Sequence, residues 1–279
     1  MTVEATAPRD PRATWSQLAA GWKKHDALHV RHTAGVSERM VAGLVPGQRV
    51  LDIACGTGDP TLAAAERVGP RGTVLGIDIV EEMLDYGRAK AAARRMTQVG
   101  FSCQDGEALP YPAASFDRVT IRWGLMYMAD PAACLADAHR VLAPGGSLAL
   151  ACWAAVADNP WATILPAALK RHVELPPPRP GAPGPFSLAD PERLCALVAA
   201  AGFSEITNEA VGLPMSDFAR GADFVSYRLD TAGPLSAIIM ALPAPVRDAV
   251  LAEAAVDAER RGGGQAHLRG LTWVTTARR

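Results

Sequence analysis

Among the five cysteines of this 279-residue chain no two form a C-x-x-C pair, and their number is odd. Cys55, Cys103, Cys134, Cys152 and Cys195 are scattered, which excludes a disulfide framework and the common zinc-binding spacings. Cys55, Cys103 and Cys152 are expected to pack as small hydrophobes in a reducing cytoplasm. Long apolar runs are missing as well. None approaches the roughly 18 residues that a membrane-spanning helix needs, and Met1 to Arg12 lacks the apolar centre of a signal peptide. Nor is there a surplus of charge. Twenty-eight basic residues face 29 acidic ones, for a formal net charge of -1 and a pI near 6.6. Such a balance gives no electrostatic ground for a nucleic-acid or anionic-membrane partner. No internal repeat is visible.

What is present is a hydrophobic content of 49% with 20% charged residues, enough for a sizeable core. The most informative stretch runs from Arg49 to Pro60. Val50, Leu51 and Ile53 form an apolar run suited to a parallel strand buried on both faces. Gly56 and Gly58 permit a sharp turn and close approach of a ligand to the main chain. Asp59 reads as an N-cap, with Pro60 in the first helical turn. A strand-to-helix loop of this kind lies where doubly wound sheets bind ligands.

The rest of the chain is read around that loop. Residues 1–12 are taken as a flexible tail and 13–45 as N-terminal helices, the second over roughly 35–44. The α/β core occupies 46–153. Its strands are expected at Arg49–Ile53, Thr73–Ile77, Val99–Cys103, Phe116–Trp123 and Ser147–Trp153. Helices fall between them, and Ala143-Pro144-Gly145-Gly146 is a firm break before the fifth strand. Residues 154–186 read as a helix followed by a proline-rich linker over 174–185. Residues 187–279 supply two more strands, Phe203–Val211 and Leu268–Thr276, with a helical cover inserted at about 215–262. Strands alternating with helices argue for a parallel α/β sheet.

The loop's ligand is narrowed by its neighbours. The dinucleotide fingerprint wants a third small residue, whereas here Gly56-Thr57-Gly58 is followed by Asp59, Pro60 and Thr61. Carboxylates at Asp52 and Asp59 around the turn suit a cationic ligand better than a pyrophosphate. Asp78, closing the second strand, stands where doubly wound folds accept hydrogen bonds from ribose hydroxyls; the competing reading makes it a helix cap boxed with Glu81. His25, His29 and His32 lie near one helical face. No carboxylate or cysteine nearby completes a ligand set, and no metal is expected.

Val50 to Gly58 resembles motif I of the class I S-adenosylmethionine-dependent methyltransferases, and Gly76-Ile77-Asp78 resembles their acidic second motif. Cys103 to Pro110 is similar to the adenine-side loop. Ser115 to Val119 with Trp123-Gly124-Leu125 resembles the fourth strand, and Arg140 to Gly146 the turn before the fifth. The nearest flavour is the ubiquinone/menaquinone-biosynthesis C-methyltransferase-like (type 11) group, over roughly residues 45 to 153. The resemblance implies a doubly wound, seven-stranded Rossmann-like sheet whose last strand is antiparallel. It also implies S-adenosyl-L-methionine as cofactor. Gly56 and Gly58 would then approach its methionine part, and Asp52 would serve its ammonium directly or through water. Asp78 would take the ribose, Ile79 and Met83 would pack on the adenine, Asp105 would accept from its amino group, and the Gly106 backbone would meet a ring nitrogen. The Arg122 carbonyl would face the ammonium, while Ala54 and Glu107 complete the set within the matched motifs. Val80 departs from the Ser/Thr cap of many relatives and weakens the helix start.

The expected activity is methyl transfer to an O or C atom of a small apolar or aromatic metabolite. The alternative is a cofactor-binding scaffold or sensor without transfer. Tyr127 and His25 are candidate general bases, alongside a mechanism with no side-chain base. The acceptor is expected against Trp123 to Met128, the N-terminal helix and the cover. A nucleic-acid target is disfavoured, since the D/N-P-P-Y/F/W tetrad of amino-methylating relatives is replaced by Arg122-Trp123-Gly124-Leu125. The expected assembly is a monomer or homodimer.

Overall fold

A computed structural model describes residues 10–174 and 181–279. Residues 1–9 of the expected tail and 175–180 of the expected linker lie outside the described residues. The described residues divide into two compact units, one of 33–155, 181–211 and 271–279, the other of 10–32, 156–174 and 212–270.

The first unit is built on a seven-stranded sheet. Its strands are β1 (Arg49–Ile53), β2 (Thr73–Asp78), β3 (Val99–Cys103), β4 (Phe116–Arg122), β5 (Leu142–Trp153), β6 (Ser204–Phe218) and β7 (Ala266–Arg278). They lie in the order β3-β2-β1-β4-β5-β7-β6. β1 runs parallel to β2 and β4, β2 parallel to β3, and β4 parallel to β5. β7 runs antiparallel to β5. The central parallel strands are largely apolar: Val50, Leu51, Ile53, Ile77, Val119, Ile121 and Leu148 to Cys152 are buried. Strands covered on both faces require this composition.

Helix α3 (Thr61–Val68) closes one layer, with Ala64, Ala65 and Val68 against Val50 and Val74. Helix α4 (Glu81–Ala93) follows β2, and its cap Val80 makes no side-chain cap bond, as the missing Ser/Thr implied. Helix α5 (Pro131–Val141) begins behind Asp130, whose side chain accepts from Ala133 N–H. Helix α7 (Pro191–Ala200) is capped in the same way by Asp190, and Gly202 follows with φ 97°.

Four boundaries differ from the sequence reading. Ala143 to Gly146 does not separate β5 from what precedes it. The strand starts at Leu142, pairing with Phe116, and the register then jumps so that Arg118 faces Ser147; the break is an irregularity inside the strand. β6 continues to Phe218 instead of ending at Val211, because Pro214 falls on the outermost strand, where a missing N–H is tolerated. At the N-terminus, helix α1 (Pro11–Lys24) starts earlier than expected: Asp10 accepts from Arg12 N–H and Pro11 takes the first helical turn. Helix α2 (Asp26–Val41) likewise begins before residue 35.

The second unit holds α1, the start of α2, and helices α6 (Ile164–Lys170), α8 (Gly221–Thr231), α9 (Pro234–Met240) and α10 (Ala244–Arg261). Glycines set its closest approaches. A Cβ on Gly21 would stand 2.0 Å from the Asp230 carbonyl oxygen, and one on Gly221 1.9 Å from that of Ala255. Phe224 fills the centre without exposure. The histidines of α1 and α2 are structural partners of α8 and β6. His25 Nε2 lies 2.8 Å from Asp230 Oδ2, His29 Nε2 2.8 Å from Tyr227 Oη, and His32 Nε2 3.2 Å from Asp217 Oδ1. Among the described residues no helix is long and apolar enough to cross a membrane, and no cluster of three or more His, Cys, Asp or Glu could hold a metal ion.

Candidate functional site

The turn after β1 carries the unusual backbone of the first unit. Ala54, Gly56 and Gly58 have φ of 56°, 52° and 98°, and Trp123 after β4 has φ 53°. Two non-glycine residues in the left-handed region at the ends of adjacent strands mark a place where surrounding structure holds strain. The space before Gly56 is open: a Cβ there would meet only Met83 Sδ, at 3.9 Å. Gly58 and two further glycines serve packing instead. Added Cβ atoms on Gly58, Gly76 and Gly87 would stand 3.2, 3.1 and 2.8 Å from the Phe101 ring. Phe101 thus wedges under the loop from β3, a role the sequence reading missed, although three glycines around one aromatic are its signature.

Asp78 sits at the end of β2 with both oxygens turned to the loop. Oδ2 accepts from Gly56 N–H at 2.9 Å and Oδ1 from Val80 N–H at 3.0 Å. Burial pushes its pKa up from the ordinary value, and the N–H bonds from Gly56 and Val80 oppose that rise. Each oxygen keeps a further lone pair, so the carboxylate can brace the turn and still accept from a vicinal diol. The capping box with Glu81, the competing reading, is absent from its bonds; Glu81 pairs with Arg88 instead. Ile79 is half-buried beside it and Met83 buried.

Two acids stand around the turn. Asp52 is fully buried, its Oδ1 accepting from Thr120 Oγ1 at 2.7 Å and its Oδ2 from Thr61 Oγ1 at 2.6 Å. Both oxygens accept a hydrogen bond within the protein, and each keeps a further lone pair for the expected service to a ligand's ammonium, directly or through water. Asp59 does not cap α3; that position falls to Pro60, with no side-chain bond. Its Oδ2 lies 3.0 Å from Arg122 Nη1 and accepts from Ser37 Oγ at 3.2 Å. The charge ascribed to the turn is therefore compensated, and it cannot by itself select a cationic ligand.

Arg122, expected to contribute its carbonyl, is also the tie of the site. It donates to Thr33 Oγ1 and to the Asp59 carbonyl, both at 2.6 Å. On the adenine-side loop, exposed Asp105 accepts from Glu107 N–H at 2.9 Å. A Cβ on buried Gly106 would stand 2.6 Å from Ile53 Cγ2, so glycine is required where this loop meets the end of β1. Glu107, expected at the cofactor, also braces the main chain. Its two oxygens accept from Ala129 N–H at 3.0 Å and Asp130 N–H at 2.6 Å, which clamps the segment after β4. Gly124 meets the loop from the other side, where a Cβ would lie 2.4 Å from Ala54 Cβ. Tyr127 is half-buried on the 3₁₀ turn Leu125–Tyr127. His25 belongs to the other unit, in its pair with Asp230.

Asp52 gives a pH-linked prediction. Burial raises its pKa to about 6, against the opposing bonds from Thr120 and Thr61. A carboxyl raised in the folded state contributes stability below its unfolded pKa and loses it as pH rises through the folded one. The loss between pH 4 and pH 8 is roughly 2.4 kcal/mol. Asp52→Asn does not titrate, so urea denaturation should find the variant gaining on the parent by about that much between these pH values. A difference that stays flat across the range overturns this account.

A sheet in this order, with a left-handed glycine turn after β1 and a carboxylate closing β2, is the class I methyltransferase fold. Residues 28–160 match the ubiE/COQ5 methyltransferase family. The demethylmenaquinone methyltransferase of Geobacillus stearothermophilus is 42% identical over 118 residues, 42% of this chain. The match spans 50% of that relative's length. Among solved structures, YcgJ protein of Bacillus subtilis superposes with a TM-score of 0.59 at 19% identity, covering 88% of this chain and 98% of that one. The [4+2]-cyclase SpnF superposes with a TM-score of 0.54 at 25% identity, covering 88% and 79%. The cofactor of this fold class is S-adenosylmethionine, and the residues present fit it: an open face before Gly56, a braced carboxylate at Asp78, and Met83 against the turn.

Proposed function

We propose that the chain transfers a methyl group from S-adenosylmethionine to an O or C atom of a small apolar or aromatic metabolite of quinone or polyketide type. The observation that carries this reading is Asp78, held by Gly56 and Val80 N–H groups with acceptor capacity left for a ribose. The name of the Geobacillus relative supports a quinone-type acceptor. So does a flat aromatic surface at the ends of β4 and β5: Trp123 and Trp153 stack 4.5 Å apart at an interplanar angle of 7°. The Trp123 indole is fixed by donation to Thr272 Oγ1 at 2.9 Å.

When bound, the cofactor supplies a sulfonium-activated methyl group. The protein's part is then to align an acceptor and exclude water, which is worth on the order of 7–11 kcal/mol. Asp78 fixes the ribose end and braces the glycine turn through Gly56 N–H, the open face before Gly56 leaves room for the amino-acid tail, and Glu107 holds the 123–128 segment through Ala129 and Asp130. Tyr127 on that segment is the preferred general base for a hydroxyl or an acidic carbon. His25 already has Nε2 engaged by Asp230, which makes it the second choice.

Calorimetry should find binding of S-adenosylmethionine and none of NAD; the reverse result overturns the reading. A labelled-methyl assay on a panel of quinols and phenols should find an acceptor, and Tyr127→Phe should lower kcat by roughly 10²–10⁴-fold if the tyrosine is the base. The competing reading is a cofactor-binding scaffold or sensor that transfers nothing. Pure protein that binds the cofactor and methylates no member of the panel would favour that competitor.

A further inference from the structure

At the opposite edge of the sheet from the glycine turn, the start of β4 and the irregularity in β5 enclose a second cavity of about 330 Å³. Its walls include Ala42 and Gly43 after α2, Asp117 and Arg118 of β4, Gly145 to Ser147 of β5, and Arg278 of β7. Arg118 is 8% exposed. It donates from Nη1 to Ser147 Oγ at 2.8 Å and from Nη2 to the carbonyls of Met40 and Ala42 at 2.7 and 3.0 Å. Its Nε–H is buried with no partner among the described residues. No carboxylate of the described residues pairs with it. Asp117, the acid in the wall, is taken by Arg49, which reaches Oδ1 at 2.7 Å and Oδ2 at 3.2 Å.

A guanidinium removed from water without a counter-charge is costly. Capping the last carbonyls of α2 accounts for its hydrogen bonds but not for its charge. A second arginine worsens the imbalance. Among the described residues, the Arg278 side chain has only the Gly145 carbonyl, at 3.3 Å, as partner. Burial, and after it the charge of Arg278, lowers the Arg118 pKa to about 10. Two guanidiniums facing one polar cavity, with the single acid nearby already neutralised, form the arrangement that recognises oxyanions through paired N–H groups. The cavity is larger than an ion needs and stands at the lower end of the roughly 300–1,000 Å³ of small-molecule sites.

We propose that this cavity binds a small phosphate-bearing anion, with Arg118 and Arg278 as its charge partners, at a site separate from the candidate cofactor site. The ligand is either free phosphate or the phosphate of a small monoester.

The test is thermal denaturation of the full chain in phosphate, in glycerol 3-phosphate, and in potassium chloride at equal ionic strength. Either phosphate compound should raise Tm by about 2–4 °C over chloride, the shift expected for roughly a tenfold excess over Kd. A larger shift with the ester identifies a metabolite, and an equal or larger one with phosphate identifies the ion. Arg278→Gln, at an exposed position, should abolish the shift and leave S-adenosylmethionine affinity unchanged. Arg118→Met should do the same if it folds; should it fail to fold, Arg278→Gln decides alone. A shift no greater than that of chloride, or one that persists in Arg278→Gln, overturns the proposal.

Discussion

Asp78→Ala is expected to weaken S-adenosylmethionine binding by roughly 10²–10³-fold in calorimetry. Hydrogen bonds to a charged group contribute about 1.5–3 kcal/mol each, and tenfold in affinity corresponds to about 1.4 kcal/mol. The substitution removes the acceptor proposed for the ribose and also frees Gly56 N–H and Val80 N–H, which the carboxylate holds at 2.9 and 3.0 Å. The left-handed turn at Gly56 then loses its brace, so the preorganised site relaxes as well. Asp78→Asn keeps one acceptor oxygen and should lose less. Because burial raises the pKa of Asp78, cofactor affinity should also begin to fall, as pH is lowered, at a higher pH than for an ordinary aspartate. An alanine variant that binds within threefold of the parent would sink the ribose assignment.

The parts of this site legible in the sequence are those with local causes. An apolar run followed by two glycines defines a buried strand and a tight turn, and β1 with its turn lies where that pattern placed it. Asp130-Pro131 and Asp190-Pro191 carry helix starts in their own chemistry. Asp10-Pro11 carries the same signal, yet the polar, proline-containing run around it reads as a tail, and the cap went unrecognised. The extent of β6 was hidden for another reason. Pro214 ends a strand in the middle of a sheet and is harmless at its edge, and edge position is a property of the sheet order. Phe101 shows the same limit. Its three glycine neighbours come from the loop, β2 and α4, and only the folded sheet brings them to one ring.

The charges were the least legible part, and Arg122 shows why. Asp59 is 63 residues from Arg122, so nothing local announces their pairing. Side by side at a turn, Asp52 and Asp59 look like a negatively charged seat. In the fold one is sealed among threonine hydroxyls and the other is neutralised. The argument against a pyrophosphate thus rests on the missing third small residue and on the bracing of Asp78, and no longer on the sum of two acids.

Arg122→Met should accordingly cost on the order of 3–5 kcal/mol, the range for breaking a buried ion pair from one side. Both partners are 12% exposed, so water replaces little of what is lost. The guanidinium joins three segments of one unit: it belongs to β4, donates to the Asp59 carbonyl at 2.6 Å and pairs with its side chain, and donates to Thr33 Oγ1 of α2. Without it, Asp59 keeps only Ser37 at 3.2 Å and Thr33 at 3.4 Å, too little to compensate a buried charge. Tm should drop by roughly 10 °C on the usual scaling of about 2–4 °C per kcal/mol, and cofactor affinity should fall with the turn. Adding Asp59→Asn removes the stranded charge, so the double variant should recover part of the loss. Arg122→Lys should recover less than half, since an ammonium cannot fork between the Asp59 main chain and the Thr33 hydroxyl. If Arg122→Met loses less than about 1 kcal/mol, or the double variant is less stable than the single one, the pair is not what holds this turn.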